Sequence, residues 1–220
     1  QAGWMPPVVR QYDARETRRN FKEWSVKGDG MLMMVHEGPV GRVAAEVEAV
    51  DVLAAQCGLT RADDQVAAHW MENRNHVPSW TELFDQDLVV DTIEISGSWS
   101  NIELIYDQSI ADVSAVEGVV AVSAHSSHAY RTGVNLYFTF AGLSDDPQVL
   151  ENIYLACWHA VMEATAAHGG GVAHHHGIGR VRKPYLVHDL GEAGVALLRT
   201  VKNAVDPEGL MNPGNLLPDA

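Results

Sequence analysis

Three consecutive histidines, His174, His175 and His176, stand behind a glycine run and ahead of three cations in GGGVAHHHGIGRVRKP, residues 169–184. An imidazole can bind a divalent metal, carry a proton near neutral pH or donate a hydrogen bond to developing charge. Adjacent side chains of an extended segment point apart, so at most two of the three are expected to face one site. A closed tetrahedral metal site would then need ligands from elsewhere. On these residues alone three readings stay open: imidazoles hydrogen-bonded in a surface loop, a metal site, or a catalytic or anion-binding loop whose glycines let backbone approach a ligand closely. Arg180, Arg182 and Lys183 follow at once. Three cations in four residues could hold a phosphate or carboxylate, or form a solvated stretch balancing Asp189 and Glu192. Upstream, Tyr130 and Tyr137 bracket a strand-like segment, where a tyrosine most often packs.

The elements that must position these groups are legible in outline. GMLMMVH (30–36) is an apolar run of strand length. Val40, Val43, Val47, Val50 and Ala54 keep helical spacing up to a glycine stop at Gly58. A second helix is expected over roughly 62–75, carrying Trp70 and Arg74 and limited by Pro78. DLVVDTIEIS (87–96) reads as a β-branched strand, followed by a helix that starts at Ser98 or Ser100 and runs through Ile102, Leu104, Ile105 and Ile110. GVVAVSAHSSHAY and TGVNLYFTFAG form two strands of a hairpin. The longest helix begins at the SDDP cap of residues 144–147 and ends at His168, and Leu190, Leu197, Leu198, Val201 and Val205 mark a last one. This order predicts an α+β domain, a mostly antiparallel sheet with helices packed on one face plus a C-terminal helical segment.

Composition limits what such a domain can do. The 220 residues are 46% hydrophobic and 20% charged, a globular balance, and carry a formal net charge of −14. So acidic a surface repels phosphate backbones, so nucleic acid is not an expected partner. Cys57 and Cys157 lie in apolar helical patterns and are expected to be buried without redox chemistry. With neither a long apolar run nor a basic leader, a soluble, cytoplasmic protein is expected. The start at QAGWMPPVVRQYD, without an initiator Met, suggests a piece of a longer chain.

GGGVAHHHGIGRVRKPYL, followed by a helix and then VDPEGLMNPGNLL, resembles the C-terminal part of the FAD-linked oxidases of the vanillyl-alcohol oxidase type. Within that group it is most similar to the alkyldihydroxyacetonephosphate (alkylglycerone-phosphate) synthases. The likeness runs from PPVVRQYD through LYFTF to the end. A related 2-hydroxyacid dehydrogenase branch has a metal-binding strand H-x-G-D-G-N-x-H. Laid on Asn135, its histidine positions are Tyr130 and Tyr137, poor ligands for zinc beside imidazole, so no metal is expected.

The resemblance implies a ferredoxin-like, substrate-binding cap domain over residues 1–168. It also implies a C-terminal active-site loop and helical segment over 169–220, returning to an FAD-binding domain that this sequence lacks. FAD would be the cofactor, held mainly by that N-terminal domain, and this chain alone would be inactive. The implied reaction exchanges an acyl group for a fatty alcohol on acyl-dihydroxyacetone phosphate, a step in ether lipid synthesis. Tyr137 would be the acid–base group, and His174, His175 and His176 would stabilise charge on substrate oxygens. A phenol, with an ordinary pKa of about 10, needs positive charge nearby to act as a base. Arg10 would position an acidic group, with Arg180, Arg182 and Lys183 as further phosphate partners. His176 and Asn212 would lie against the flavin. A small-molecule or lipid-phosphate substrate, a homodimer and a peripheral membrane contact of the full-length enzyme complete these expectations. Two alternatives remain: an FAD-linked oxidase or dehydrogenase of a 2-hydroxyacid such as D-lactate or glycolate, and a stand-alone ligand- or metal-binding domain.

Overall fold

A computed structural model describes residues 3–24 and 30–219. Strand β1 (Val8–Asp13) leads into helix α1 (Ala14–Asn20), and β2 (Gly30–Val35) is followed by three helices, α2 (Val40–Gln56), α3 (Gln65–Asn73) and α4 (Trp80–Phe84). Then come β3 (Leu88–Ser98), α5 (Ile102–Ala115), the hairpin of β4 (Val119–Ser126) and β5 (Gly133–Leu143), α6 (Pro147–Ala167) and α7 (Leu186–Val205). The five strands form one antiparallel sheet in the order β2-β1-β4-β5-β3. This is the expected α+β class.

Alternation along β3 and β5 divides the sheet into two unlike faces. Ile93 pairs with Phe138 and Ile95 with Leu136, and these side chains meet α5 and α6 in the main core. Ile93, Ile95, Ile105, Phe138, Val161 and Met162 are fully buried there. The residues between them, Thr92, Glu94, Tyr137 and Thr139, point to the opposite face, because successive strand side chains alternate. Among the described residues that face is covered by α1, whose Glu16 meets Ser123 and His125 of β4, and at its far end by α3, where Val66 and Trp70 join Tyr12, Phe21, Met31 and Met33.

Strand β1 and helix α1 were not foreseen, because VVRQYD is short and closely followed by charge. Asp13 makes the change from strand to helix. One of its carboxylate oxygens accepts from the Glu16 backbone N–H at 2.7 Å, capping α1. The other accepts from the backbone N–H of Ala124 in β4 at 2.8 Å, in place of the next strand residue, and from the Tyr106 hydroxyl at 3.1 Å. Helix α4 was missed because Pro78 reads as a stop, although Ser79 and Glu82 form a complete capping box there. Helix α5 starts later than Ser98 or Ser100. Asn101 precedes it, its side-chain amide donating to the carbonyls of His168 and Gly169 and so tying α5 to the end of α6. Cys157 is buried, its thiol pushed up to about 12 by burial, whereas Cys57 is exposed at the end of α2, contrary to expectation.

The segment β3-α5-β4-β5-α6 gives the strand order β3-β5-β4, three quarters of a ferredoxin-like sheet. The place beside β3 where a fourth strand would lie is held by a single antiparallel bridge, Ser96 to Gly171. The glycine run is what lets the chain lie there. A Cβ on Gly170 would sit 2.7 Å from Ile105 Cδ1 and 2.9 Å from the Ser96 carbonyl oxygen, and one on Gly171 would sit 2.7 Å from Ser96 Oγ. These two glycines bring backbone against β3 rather than against a ligand.

Candidate active site

From Gly171 the chain leaves the edge of β3 and bends over the open face, placing the three histidines on Glu94. Glu94 has no solvent exposure. His174 Nδ1 and His175 Nδ1 lie 3.2 and 2.5 Å from its Oε1, and His176 Nδ1 lies 3.6 Å from its Oε2. The backbone N–H groups of His175 and His176 donate to Oε2 at 3.2 and 3.3 Å. All three imidazoles therefore approach one carboxylate. The expected divergence fails because successive bends, not an extended strand, run through 174–176 and wrap the backbone around the charge. Burial alone would raise the pKa of Glu94, but the hydrogen bonds from His175 and Asn135 and the nearby imidazoles outweigh it and hold the carboxyl below its ordinary value.

The far nitrogens of two rings meet Tyr137 of β5 and Tyr130 of the β4–β5 connection. The Tyr137 hydroxyl is 3.2 Å from His175 Nε2, and the Tyr130 hydroxyl is 3.0 Å from His174 Nε2. A neutral imidazole whose Nδ1–H donates to Glu94 must accept at Nε2, so each phenol can donate to its histidine. One carboxylate, two imidazoles and two phenols form a branched relay. The Tyr137 ring also stacks on His125 at 4.8 Å and 17°. His125 Nδ1 lies 3.0 Å from the buried Glu16, whose carboxyl is held down, against its burial, chiefly by its hydrogen bond with His125.

Asn135, fully buried on β5, sets the back of the site. Its carbonyl oxygen accepts from the backbone N–H groups of Ser127 and His128, and its amide donates to Glu94 at 3.4 Å. This holds His128 beside the loop, 5.0 Å from the His175 ring. Burial and the adjacent His175 and His174 lower the His128 pKa, and burial lowers that of His176, so both rings are neutral at pH 7. Glu94, His125 and His128 were not singled out from sequence. An isolated Glu between isoleucines in DTIEIS has the pattern of a solvated strand face, and only the loop crossing overhead buries it.

The expected cations are dispersed. Arg10 lies on the open face at β1, its Nε donating to the Tyr12 hydroxyl at 2.8 Å and its guanidinium 5.3 Å from the Trp70 ring centre. No hydrogen bond links Arg10 to the three histidines among the described residues. Arg182 is buried with donors turned inward, to the Gly177 carbonyl at 3.0 Å and the Glu94 carbonyl at 3.1 Å, over the Trp158 ring. It caps the outer edge of β3 and faces no open site, because a guanidinium fits the carbonyls of an unpaired strand edge. Lys183 pairs with Asp219 at 2.7 Å. Arg180 is exposed. Asn212 sits in the C-terminal turns, accepting from Asn215, in a segment that returns to the loop through the Leu216 N–H on the Gly179 carbonyl at 3.1 Å.

Glu94, His175 and His176, and separately His128, His174 and His175, each bring three ligating atoms within 4.8 Å of one another. The same cluster could thus hold a cation or move a proton.

Comparison with known proteins gives this geometry a context. The family described as FAD linked oxidases, C-terminal domain, matches residues 2–216. The uncharacterized FAD-linked oxidoreductase YgcU of Escherichia coli (strain K12) is 29% identical over 98% of this chain and 47% of its own. The alkyldihydroxyacetonephosphate synthase of Trypanosoma brucei brucei is 28% identical over 98% of this chain and 40% of its own. A solved structure of an alkyldihydroxyacetonephosphate synthase superposes with a TM-score of 0.63 at 20% identity, over 95% of this chain and 39% of that one, a likeness of fold. The chain spans about half the length of the curated relatives it matches. With a match running over nearly every residue, this chain belongs to the FAD linked oxidases, C-terminal domain family.

Proposed function

We propose that this chain is the substrate-side part of an FAD-dependent enzyme of the alkyldihydroxyacetonephosphate synthase type, exchanging an acyl group for a fatty alcohol on acyl-dihydroxyacetone phosphate. The observation that carries the reading is the Glu94–His175–Tyr137 relay on an open sheet face. His175 Nδ1 lies against Glu94 and meets His174 Nδ1 at 2.9 Å, and with its proton on Nδ1 the ring can take the Tyr137 proton at Nε2. The phenolate so formed accepts a proton from the substrate, and the same path returns it to a leaving oxygen, so the reaction ends without net proton transfer to the enzyme. His176, neutral at pH 7 and 41% exposed at its side chain, is free to donate to substrate oxygen or to the flavin edge. Arg10, on the same face, holds the acidic group. Arg180 remains as a phosphate partner, whereas Arg182 and Lys183 are engaged within the chain.

The uncovered face fits one side of a flavin, because it offers imidazole and phenol groups around a half-exposed centre and no wall opposite them. FAD, when bound, supplies the electron-accepting ring. His176 and Asn212 would face it, and the protein's own N-terminal FAD-binding domain would hold it. Replacing Tyr137 by Phe in the full-length enzyme should reduce kcat about 10²- to 10⁴-fold with an intact flavin spectrum. Unchanged turnover would remove Tyr137 from the mechanism.

Similarity to a D-lactate dehydrogenase of Saccharomyces cerevisiae (strain ATCC 204508 / S288c), 24% identical over 70% of this chain, favours a second reading, oxidation of a 2-hydroxyacid. Anaerobic mixing of the full-length protein with D-lactate or glycolate separates the two, since oxidation of the substrate bleaches the flavin band at about 450 nm. The three-ligand groups around Glu94 favour a third, metal binding. Zinc retained in stoichiometric amount after dialysis, and lost in His176→Ala, would support it.

A further inference from the structure

The histidine loop divides the open face. On one side lie His175 and Tyr137; on the other, His174 and Tyr130 border a separate cleft of about 320 Å³ that neither Tyr137, His175 nor Arg10 lines. Its floor is β3 beyond Glu94, where Ser96 and Ser98 point to the same face, and its rim is Thr132 with the backbone of surrounding glycines. Tyr130 is half exposed yet held on three sides. Its N–H donates to the Gly133 carbonyl at 2.8 Å, its carbonyl accepts from the Trp99 indole at 2.9 Å, and its hydroxyl meets His174 Nε2 at 3.0 Å. An exposed side chain fixed at backbone and tip has lost its conformational freedom before any ligand arrives, a property of built sites rather than of loose surface residues.

We propose that this cleft is a second binding site, for a small neutral molecule bearing hydroxyl groups, with the Tyr130 hydroxyl, fixed by His174, as its hydrogen-bonding wall. The chemistry of the lining selects that class. Hydroxyls from Ser96, Thr132 and Tyr130 both donate and accept, the Ser98 hydroxyl being turned to Ser100 and Asn101, and no side chain carrying a fixed charge lines the cleft. Phosphates and carboxylates find no cation there and face the ionised Glu94 immediately behind His174. The glycine-lined floor admits a compact ligand of the size of glycerol. Through the Tyr130 hydroxyl and then His174 a ligand hydroxyl is joined to the carboxylate that also lies against His175, so occupancy of the cleft is felt at Tyr137. The site itself stands whether or not Tyr137 is the acid–base group of the reaction.

The test is a titration of full-length protein labelled with [ε1-¹³C]histidine, with glycerol as the probe and inorganic phosphate and D-lactate as charged controls. The His174 resonance, assigned from its loss in His174→Gln, should shift saturably with glycerol and not with either anion. Tyr130→Phe, which keeps the ring, should weaken glycerol about ten-fold by removing one hydrogen bond. Thr132→Phe, which fills the rim without touching the relay, should abolish the shift while near-ultraviolet circular dichroism stays native. A shift that grows linearly without saturating, equal affinity in Thr132→Phe, or saturation by phosphate would each overturn the proposal.

Discussion

Glu94 is buried and ionised at once, a state that survives only because every lone pair is used: two backbone N–H groups, an amide and two imidazoles converge on it. Glu94→Gln keeps the size and replaces one acceptor oxygen by a donor that has an N–H group in front of it. A loss of about 1–3 kcal/mol in stability is expected, read from the midpoint of urea unfolding. The pH dependence follows from the same groups. His128 and His176 are held below the ordinary histidine value of 6.5, so the unfolded chain takes up protons before the folded one does. Their contribution to stability is complete above about pH 6.5 and is lost as pH falls through their folded values. Glu94, held below 4.5, contributes fully above that pH and loses its contribution only in the further fall below it. Unfolding midpoints measured from pH 8 to pH 2 should therefore decline in two stages, and His128→Asn should shrink the first, leaving the His176 part, without changing the second.

At the scale of elements, the glycine run and the strand it touches depend on each other. Gly170→Ala would drive a methyl group to within 2.7 Å of Ile105 Cδ1 and 2.9 Å of a β3 carbonyl, and a backbone oxygen cannot move aside as a flexible side chain can. The expected cost is about 1–3 kcal/mol by overpacking, with the histidine loop displaced, and thermal unfolding alongside a crystal structure would show both. This scale also explains what the sequence reveals. β3, the β4–β5 hairpin, α5 and α6 have strong apolar periods or caps and are legible, because the core face writes itself into the alternation. The histidine triplet is legible as chemistry. Glu94, His125 and Asn135 are not, since their importance comes from pairing across three strands and from a loop about 80 residues away in sequence. β1 and α1 are hidden for a related reason: Asp13 ends one and starts the other, so neither shows a full period.

For the molecule as a whole, one face of the sheet is sealed by α5 and α6, while among the described residues the other is covered by α1 and α3 toward β1 and β2 and carries its polar groups on β3 and β5. Among the described residues no helix is long and apolar enough to cross a membrane. On the function proposed for this chain, such a face would meet the flavin from one side only. The 220-residue chain mixed with FAD is accordingly expected to leave gel filtration colourless, and the full-length protein to carry about one flavin per chain. Flavin retained by the short chain would mean that the open face is a complete cofactor site.

The histidine loop is pinned to a single strand at both ends, by the Gly171 bridge to Ser96 and by Arg182 on the Glu94 carbonyl, two positions apart. Its termini are thus as close together as the ends of a clasp, and no ladder hydrogen bond of the sheet passes through it. Between these anchors Val172 is buried in the main core with Ile178 and Val181 packed against it, and the His175 and His176 N–H groups hold Glu94, so the backbone path of the loop is fixed while the side chains at its crest are not. Side-chain chemistry can therefore be varied at the crest while the scaffold is kept, and residues 174–176, at constant loop length, are the segment to randomise in any attempt to redirect this protein.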